Sequence, residues 1–111
     1  MKVIWSPLAE ARAIEAVDFI ARERPQAAAA WLEGLLERTA ALGRFPRRGR
    51  VVVEIGLPAY RELLHAPFRV IYRVDPERVV ILTLRHSRRA WDESELSGEQ
   101  RVPSPANTAQ V

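Results

Sequence analysis

The sequence RHSRR, residues 85–89, places a histidine and three arginines directly after VVILTL, an apolar run typical of a buried strand. A histidine with an unperturbed pKa of ~6.5 can exchange a proton at neutral pH. Arginines can stabilise the charge that develops on phosphorus when a ribose 2′-hydroxyl attacks it. His86 and Arg88 are therefore the candidate catalytic residues if the protein is an endoribonuclease. The alternatives are a surface for an anionic partner and an ordinary solvated strand end.

Further residues extend this candidate surface along the second half of the chain. The set predicted to bind a nucleic acid or another anionic partner consists of Arg61, Arg69, Arg73, Arg85, Arg88, Arg89 and Trp91. Arg69 and Arg73 are four residues apart in a predicted strand, so they share a face at about 13 Å separation. Trp91 either stacks on a base or anchors a partner, or it closes the edge of the core.

Few groups are available to complete an active site around His86. His65 is the only other histidine, and it is either a catalytic cation or a half-buried sheet residue. Glu62 is expected to pair with an arginine on a neighbouring strand. No metal spacing, phosphate-binding glycine loop or serine triad is present, so no metal and no cofactor is expected. These observations favour a binding surface over an active site.

The charge pattern also points to an anionic partner. The net charge of +3 conceals a basic middle, since residues 44–89 contain eleven basic and four acidic side chains. Residues 1–43 contain five basic and six acidic side chains, and residues 90–111 contain one and four. Such an asymmetry is typical of proteins that bind nucleic acid or an acidic protein segment.

Two helices are predicted to follow a first strand at KVIW, residues 2–5. Ser6 and Pro7 are a strong helix start, and the apolar spacing of Ala13, Ile14, Val17, Ile20 and Ala21 predicts a helix over residues 7–23. A second helix begins at Pro25 and ends before Gly43. Because the connection ERP is short, these helices are expected to form a hairpin.

After residue 50 the spacing of apolar residues changes from a period of about 3.6 to a period of 2. This predicts strands over residues 51–55, 60–65, 68–74 and 79–86. In the third of these, Phe68, Val70, Tyr72 and Val74 alternate with Arg69, Ile71 and Arg73. The order β-α-α-β-β-β-β predicts an α+β fold in which the helical hairpin covers a mostly antiparallel sheet. We expect one domain over residues 1–96 and a flexible tail over residues 97–111.

The composition limits the chemistry and the cellular location that we expect for the protein. The 111 residues contain no cysteine, which excludes disulfides and thiolate chemistry. No apolar run approaches the ~20 residues that span a bilayer, and no secretory leader is visible, so we expect a cytoplasmic protein without a membrane partner.

The chain resembles the RelE/ParE family of type II toxin–antitoxin toxins. The resemblance covers residues 2–89 and rests on VIWSPLAEARAIEAVDFIARERPQAAAAW, LGRFPRRGR and YRELLHAPFRVIYRVDPERVVILTLRHSRR in that order. It implies a small bacterial toxin that inhibits growth. It also implies a cognate antitoxin that wraps the toxin in a hetero-oligomer and usually binds operator DNA through its other half.

The resemblance leaves three functions open. ParE-type members bind and poison DNA gyrase, whereas RelE-type members cut mRNA in the ribosome. RelE-type toxins carry a functional Tyr or His shortly beyond the last strand, where this chain has Ala90-Trp91-Asp92-Glu93 and then neither residue. This difference favours a gyrase inhibitor over an mRNA interferase, and a non-enzyme over an enzyme. The third possibility is a family member without toxicity that binds DNA or sequesters an antitoxin.

Overall fold

The structure, a computed structural model, describes residues 1–88 of the chain. Its elements are β1 (Lys2–Trp5), α1 (Pro7–Ala21), α2 (Pro25–Ala40), a 3-10 turn (Ala41–Gly43), β2 (Arg50–Val51), β3 (Tyr60–His65), β4 (Phe68–Val74) and β5 (Arg78–His86). The predicted α+β class and element order are confirmed. No helix in residues 1–88 is long and apolar enough to cross a membrane. The predicted tail and the end of the predicted domain lie outside the described residues.

α1 begins as predicted but buries a different face. The hydroxyl of Ser6 accepts a hydrogen bond from the backbone N–H of Ala9 at 2.9 Å, and Pro7 is the first helical residue. The buried residues of the helix are Ala9, Ala13 and Ala16. The prediction that Ile14 belongs to this face is wrong, since Ile14 is 64% exposed. Because alanine is small, the helix approaches the sheet closely, whereas Ile14 and Phe19 are exposed.

The sheet has five strands in the order β1-β5-β4-β3-β2. β1 pairs with β5 in parallel, and the remaining pairs are antiparallel. β5 therefore has a strand on each side, and residues 79–85 are all buried. This agrees with the central position that its apolar run predicts.

β2 is shorter than the strand predicted over residues 51–55. The backbone turns after Val51, and the carbonyl of Val52 accepts hydrogen bonds from the N–H groups of Ile55 (3.1 Å) and Gly56 (2.9 Å). Gly56 has φ 74°, which side chains other than glycine rarely adopt. Val52 is fully buried, so this apolar segment folds over the sheet instead of extending it.

The two faces of β4 alternate as predicted. Val70 and Tyr72 belong to the main core between the sheet and the helices. Ile71 belongs to a second, smaller core on the opposite face, where it packs with Val52, Val80 and Leu82. Arg69 and Arg73 share this second face, whereas Phe68 and His86 lie on the side of the helices.

Candidate functional site

His86 ends β5 on the side of the sheet that faces α1. It lies opposite Phe68 in the register of β4 and β5, with ring centroids 5.4 Å apart. The centroid of Phe19, from α1, is 6.2 Å from that of His86. Nδ1 of His86 accepts a hydrogen bond from the backbone N–H of Arg88 at 3.2 Å. The neutral ring therefore carries its proton on Nε2.

A groove of about 620 Å³ separates α1 from the end of β5. We call it the His86 groove. Cationic, acidic and apolar side chains all line it, among them Arg12, Glu15, Phe19, Arg22, Phe68 and His86. The residues from α1 recur every three or four positions, and they form one stripe along the helix. The groove therefore combines an apolar floor with positive charge from two arginines, beside a single carboxylate.

The His86 groove borders the outer edge of β5, which β1 covers only in part. β1 pairs with β5 as far as the register Trp5 to Ile81. Beyond it, side chains replace the strand: the Ser6 hydroxyl donates to the carbonyl of Leu82 at 2.9 Å, and Arg12 donates to the carbonyl of Leu84 at 3.4 Å. Both leucines are buried and their carbonyls are occupied, so β5 becomes accessible only where it ends, at His86.

The RHSRR segment does not form one surface. His86 faces the helices, whereas Arg85 faces the opposite side of the sheet and is only 4% exposed. Arg88 follows the strand and is exposed beside the groove. Arg89 and Trp91, also predicted to bind a partner, lie outside the described residues.

The opposite face of the sheet contains an ion-pair network. Glu62, which is 4% exposed, accepts hydrogen bonds from Nε of Arg69 at 2.6 Å and from Nε of Arg50 at 2.9 Å. Nη2 of Arg69 is 3.3 Å from the carboxylate of Glu54. The expected pairing of Glu62 with a neighbouring arginine is confirmed. The network also fixes the segment after β2, because Glu54 belongs to it.

These contacts shift the pKa values of Arg69 and Glu54. Burial lowers the pKa of the Arg69 guanidinium, but the hydrogen bonds and charges of Glu62 and Glu54 outweigh it, so that pKa is raised. The pKa of Glu54 is lowered, chiefly by a backbone hydrogen bond and further by Arg69. Both groups are therefore held in their charged forms.

Arg73 lies at the other end of β4 and has its own partner. Its Nε and Nη2 donate to the two carboxylate oxygens of Asp75 at 2.8 and 3.1 Å, and Nε of Arg78 is 3.3 Å from the same carboxylate. Burial raises the pKa of Asp75, but the two guanidinium groups outweigh it and leave that pKa below its ordinary value. Arg73 thus orders the turn between β4 and β5.

Arg61 and His65, on β3, also have structural partners. Arg61 donates to the backbone carbonyls of Pro58 and Gly49, each at 2.9 Å. Nε2 of His65 is 2.9 Å from the carbonyl of Trp31, and its Nδ1 is 3.3 Å from Nη1 of Arg38. His65 is therefore the half-buried sheet histidine that the sequence allowed.

The structure thus separates the predicted residues. His86 and Arg88 lie together at the groove, while Arg61, Arg69 and Arg73 occupy three other places. The sequence predictions omitted the contribution of α1 and its C-cap to the groove, namely Arg12, Phe19 and Arg22. The signal available was their common helical stripe, which the sequence alone presents as an ordinary solvated face.

A helical hairpin on a five-stranded sheet, with a cationic groove at the open end of the last strand, defines a small α+β protein of the RelE/ParE toxin class. The family described as "ParE toxin of type II toxin-antitoxin system, parDE" matches residues 3–91, and the chain belongs to that family. A solved structure of the chromosomal ParDE TA system from P. aeruginosa has the same fold: the TM-score is 0.65 at 22% identity, over 78% of this chain and 95% of that chain. No curated protein sequence matches the chain.

Proposed function

We propose that this chain is the toxin of a type II toxin–antitoxin pair and that it inhibits growth by binding DNA gyrase. Membership of the ParE toxin family supports this role. The observation that favours a binding function over a catalytic one is that the arginines lie at separate places in the structure. Arg61, Arg69 and Arg73 bond to backbone or carboxylates at separate places, none of which is the His86 groove. A phosphate-cleaving site requires several cations around one reacting group.

The gyrase proposal is tested with purified components. Relaxed plasmid, gyrase and ATP are incubated with increasing amounts of the chain, and supercoiled and linear DNA are measured. We expect loss of supercoiling and accumulation of linear DNA, because a gyrase poison traps the cleaved complex. Unchanged supercoiling at a large molar excess of the chain would contradict the proposal.

A ribosome-dependent mRNA endonuclease is the second candidate, and the composition of the His86 groove favours it. His86 lies there with Arg12 and Arg22, and Arg88 is adjacent. In a translating extract, His86→Ala and Arg88→Ala should then abolish mRNA cleavage and leave antitoxin binding nearly intact. Cleavage retained in both variants would exclude this assignment, and intact mRNA with the parent chain would exclude the activity.

We further propose that the cognate antitoxin covers the His86 groove in the neutral complex. An acidic segment with apolar side chains fits this surface, since Phe19 and Phe68 offer apolar contact and Arg12 and Arg22 offer positive charge. The other half of the antitoxin would bind operator DNA. Because gyrase, ribosomes and operators are cytoplasmic, we place the protein there as well.

A further inference from the structure

A second basic surface lies away from the His86 groove, in the connection between the helices and the sheet. Residues 44–50, RFPRRGR, contain four arginines and one phenylalanine. We call them the arginine loop. Arg44, Phe45, Arg47 and Arg48 are all exposed, so their side chains face solvent. None of these four belongs to the set that the sequence singled out for binding.

The backbone of the arginine loop is fixed from within. The N–H groups of Arg44 and Phe45 both donate to the carbonyl of Ala41 at 3.0 Å, and the N–H of Arg48 donates to the carbonyl of Phe45 at 3.1 Å. These bonds continue the turn that ends α2. The first half of the loop is therefore a compact turn and not an extended strand.

The second half of the arginine loop is anchored to the sheet. The hydroxyl of Tyr72 donates to the carbonyl of Pro46 and accepts from the N–H of Gly49, both at 2.8 Å. Burial raises the pKa of Tyr72, so its hydroxyl keeps the proton that it donates. Arg61 donates to the carbonyls of Gly49 (2.9 Å) and Arg47 (3.4 Å). The loop carbonyls are thus bound on the inner side, and the side chains point outward.

The exposed guanidinium groups are arranged around one aromatic ring. The Cζ atoms of Arg44 and Arg48 lie 5.6 and 4.8 Å from the ring centroid of Phe45, which is 48% exposed. Cation–π contacts of this kind hold two flexible side chains near one position. Among residues 1–88, no carboxylate lies within ion-pair distance of Arg44, Arg47 or Arg48. Within the described part of the chain, the loop therefore carries three positive charges without a neutralising carboxylate.

We infer that the arginine loop binds the sugar–phosphate backbone of a nucleic acid, independently of base sequence. Arginines on a backbone that is already ordered suit phosphates, because the guanidinium fork matches the phosphate oxygens. An acidic peptide would need a groove or a strand edge for its backbone and side chains. Neither the His86 groove nor the smaller groove between α1 and α2 includes a residue of the loop.

The test compares two double variants with equal loss of charge. Arg47→Gln/Arg48→Gln removes two loop charges, and Arg24→Gln/Arg38→Gln removes two exposed charges, one before α2 and one near its end, neither of which lines the His86 groove. Binding of the full chain to a labelled 20-base-pair duplex is measured from 50 to 250 mM salt, and a single-stranded RNA of equal length forms a second arm. Each phosphate contact contributes about 0.9 to the slope of log K against log salt for duplex DNA. The loop variant should therefore lose a slope of about 1.8, and the control should keep that of the parent.

Further controls distinguish loss of phosphate contacts from loss of folding and from binding of an acidic protein. Arg47→Lys/Arg48→Lys keeps both charges and should retain most of the slope, and all variants are checked by thermal unfolding. Equal loss in both Gln variants would mean that net charge alone acts, and would overturn the inference. Equal affinity for a polyglutamate of matched charge would assign the loop to an acidic protein partner instead. The stronger of the DNA and RNA arms identifies the natural backbone.

Discussion

Arg69 and Glu62 face each other across β4 and β3 on the side of the sheet without helices, with Nε and Oε1 2.6 Å apart. The Glu62 side chain is 4% exposed and that of Arg69 is 15% exposed, so water screens this pair only weakly. Arg85 lies directly opposite Arg69 on β5. Among residues 1–88, Glu62 is thus the buried carboxylate on a face where cations from β2, β4 and β5 meet.

Removing that carboxylate should be costly. We expect Glu62→Gln to lower the free energy of unfolding by roughly 3 kcal/mol, because it removes the closest carboxylate from a guanidinium that is only 15% exposed. Urea denaturation at pH 7 measures the change. Glu23→Gln, on the exposed turn after α1, is the matched control and should change stability by less than about 0.5 kcal/mol. Equal effects of the two substitutions would mean that the network contributes nothing.

The Asp75 cluster should make stability depend on acid. The folded-state pKa of Asp75 lies below its unfolded value, so its contribution is complete above the unfolded pKa of about 4 and is lost as pH falls through the folded pKa. Asp75→Asn should therefore be less stable than the parent at pH 7, with a difference that shrinks below about pH 4. Thermal unfolding between pH 2.5 and pH 7 measures both curves. A constant difference over this range would refute the linkage.

Gly49 should be intolerant of any side chain. A Cβ there would lie 2.5 Å from the carbonyl oxygen of Glu62 and 2.6 Å from the hydroxyl of Tyr72. We expect Gly49→Ala to lower the free energy of unfolding by about 2–3 kcal/mol, since backbone has to move. Gly56→Ala is the control, because its Cβ would meet nothing within 4 Å and only the positive φ costs about 1 kcal/mol. The reverse order of the two effects would contradict this packing.

The sequence predicts most of the fold because its periodicities are strong. The alternation in β4 correctly separates Tyr72 from Arg69, and Ser6-Pro7 correctly begins α1. The sequence predictions are wrong where an apolar residue is exposed in the structure. Val53 is apolar and lies in the predicted second strand, yet it is 82% exposed, because the backbone has already turned at Val52.

The candidate site is less predictable than the fold, because it depends on distances between elements. Glu62 could be matched with an arginine from strand adjacency alone. By contrast, no pattern in the sequence states that Phe19 lies 6.2 Å from His86, since that distance depends on how closely the alanines of α1 approach the sheet. The same limit applies to Arg47 and Arg48, whose exposure follows from the way Tyr72 anchors their loop.

If an acidic antitoxin segment occupies the His86 groove, the rate of association should depend on Arg22. Arg22 lines the groove, whereas Arg24, two residues on and equally exposed, does not. We expect Arg22→Glu to slow association by about tenfold at low salt with little change in dissociation, because peripheral charges steer encounter. Stopped-flow mixing with the purified antitoxin at 50 and 500 mM salt measures both rates. The difference should nearly vanish at high salt, and Arg24→Glu should behave much more like the parent. If Arg24→Glu slows association equally, only net charge acts, and the antitoxin segment binds elsewhere.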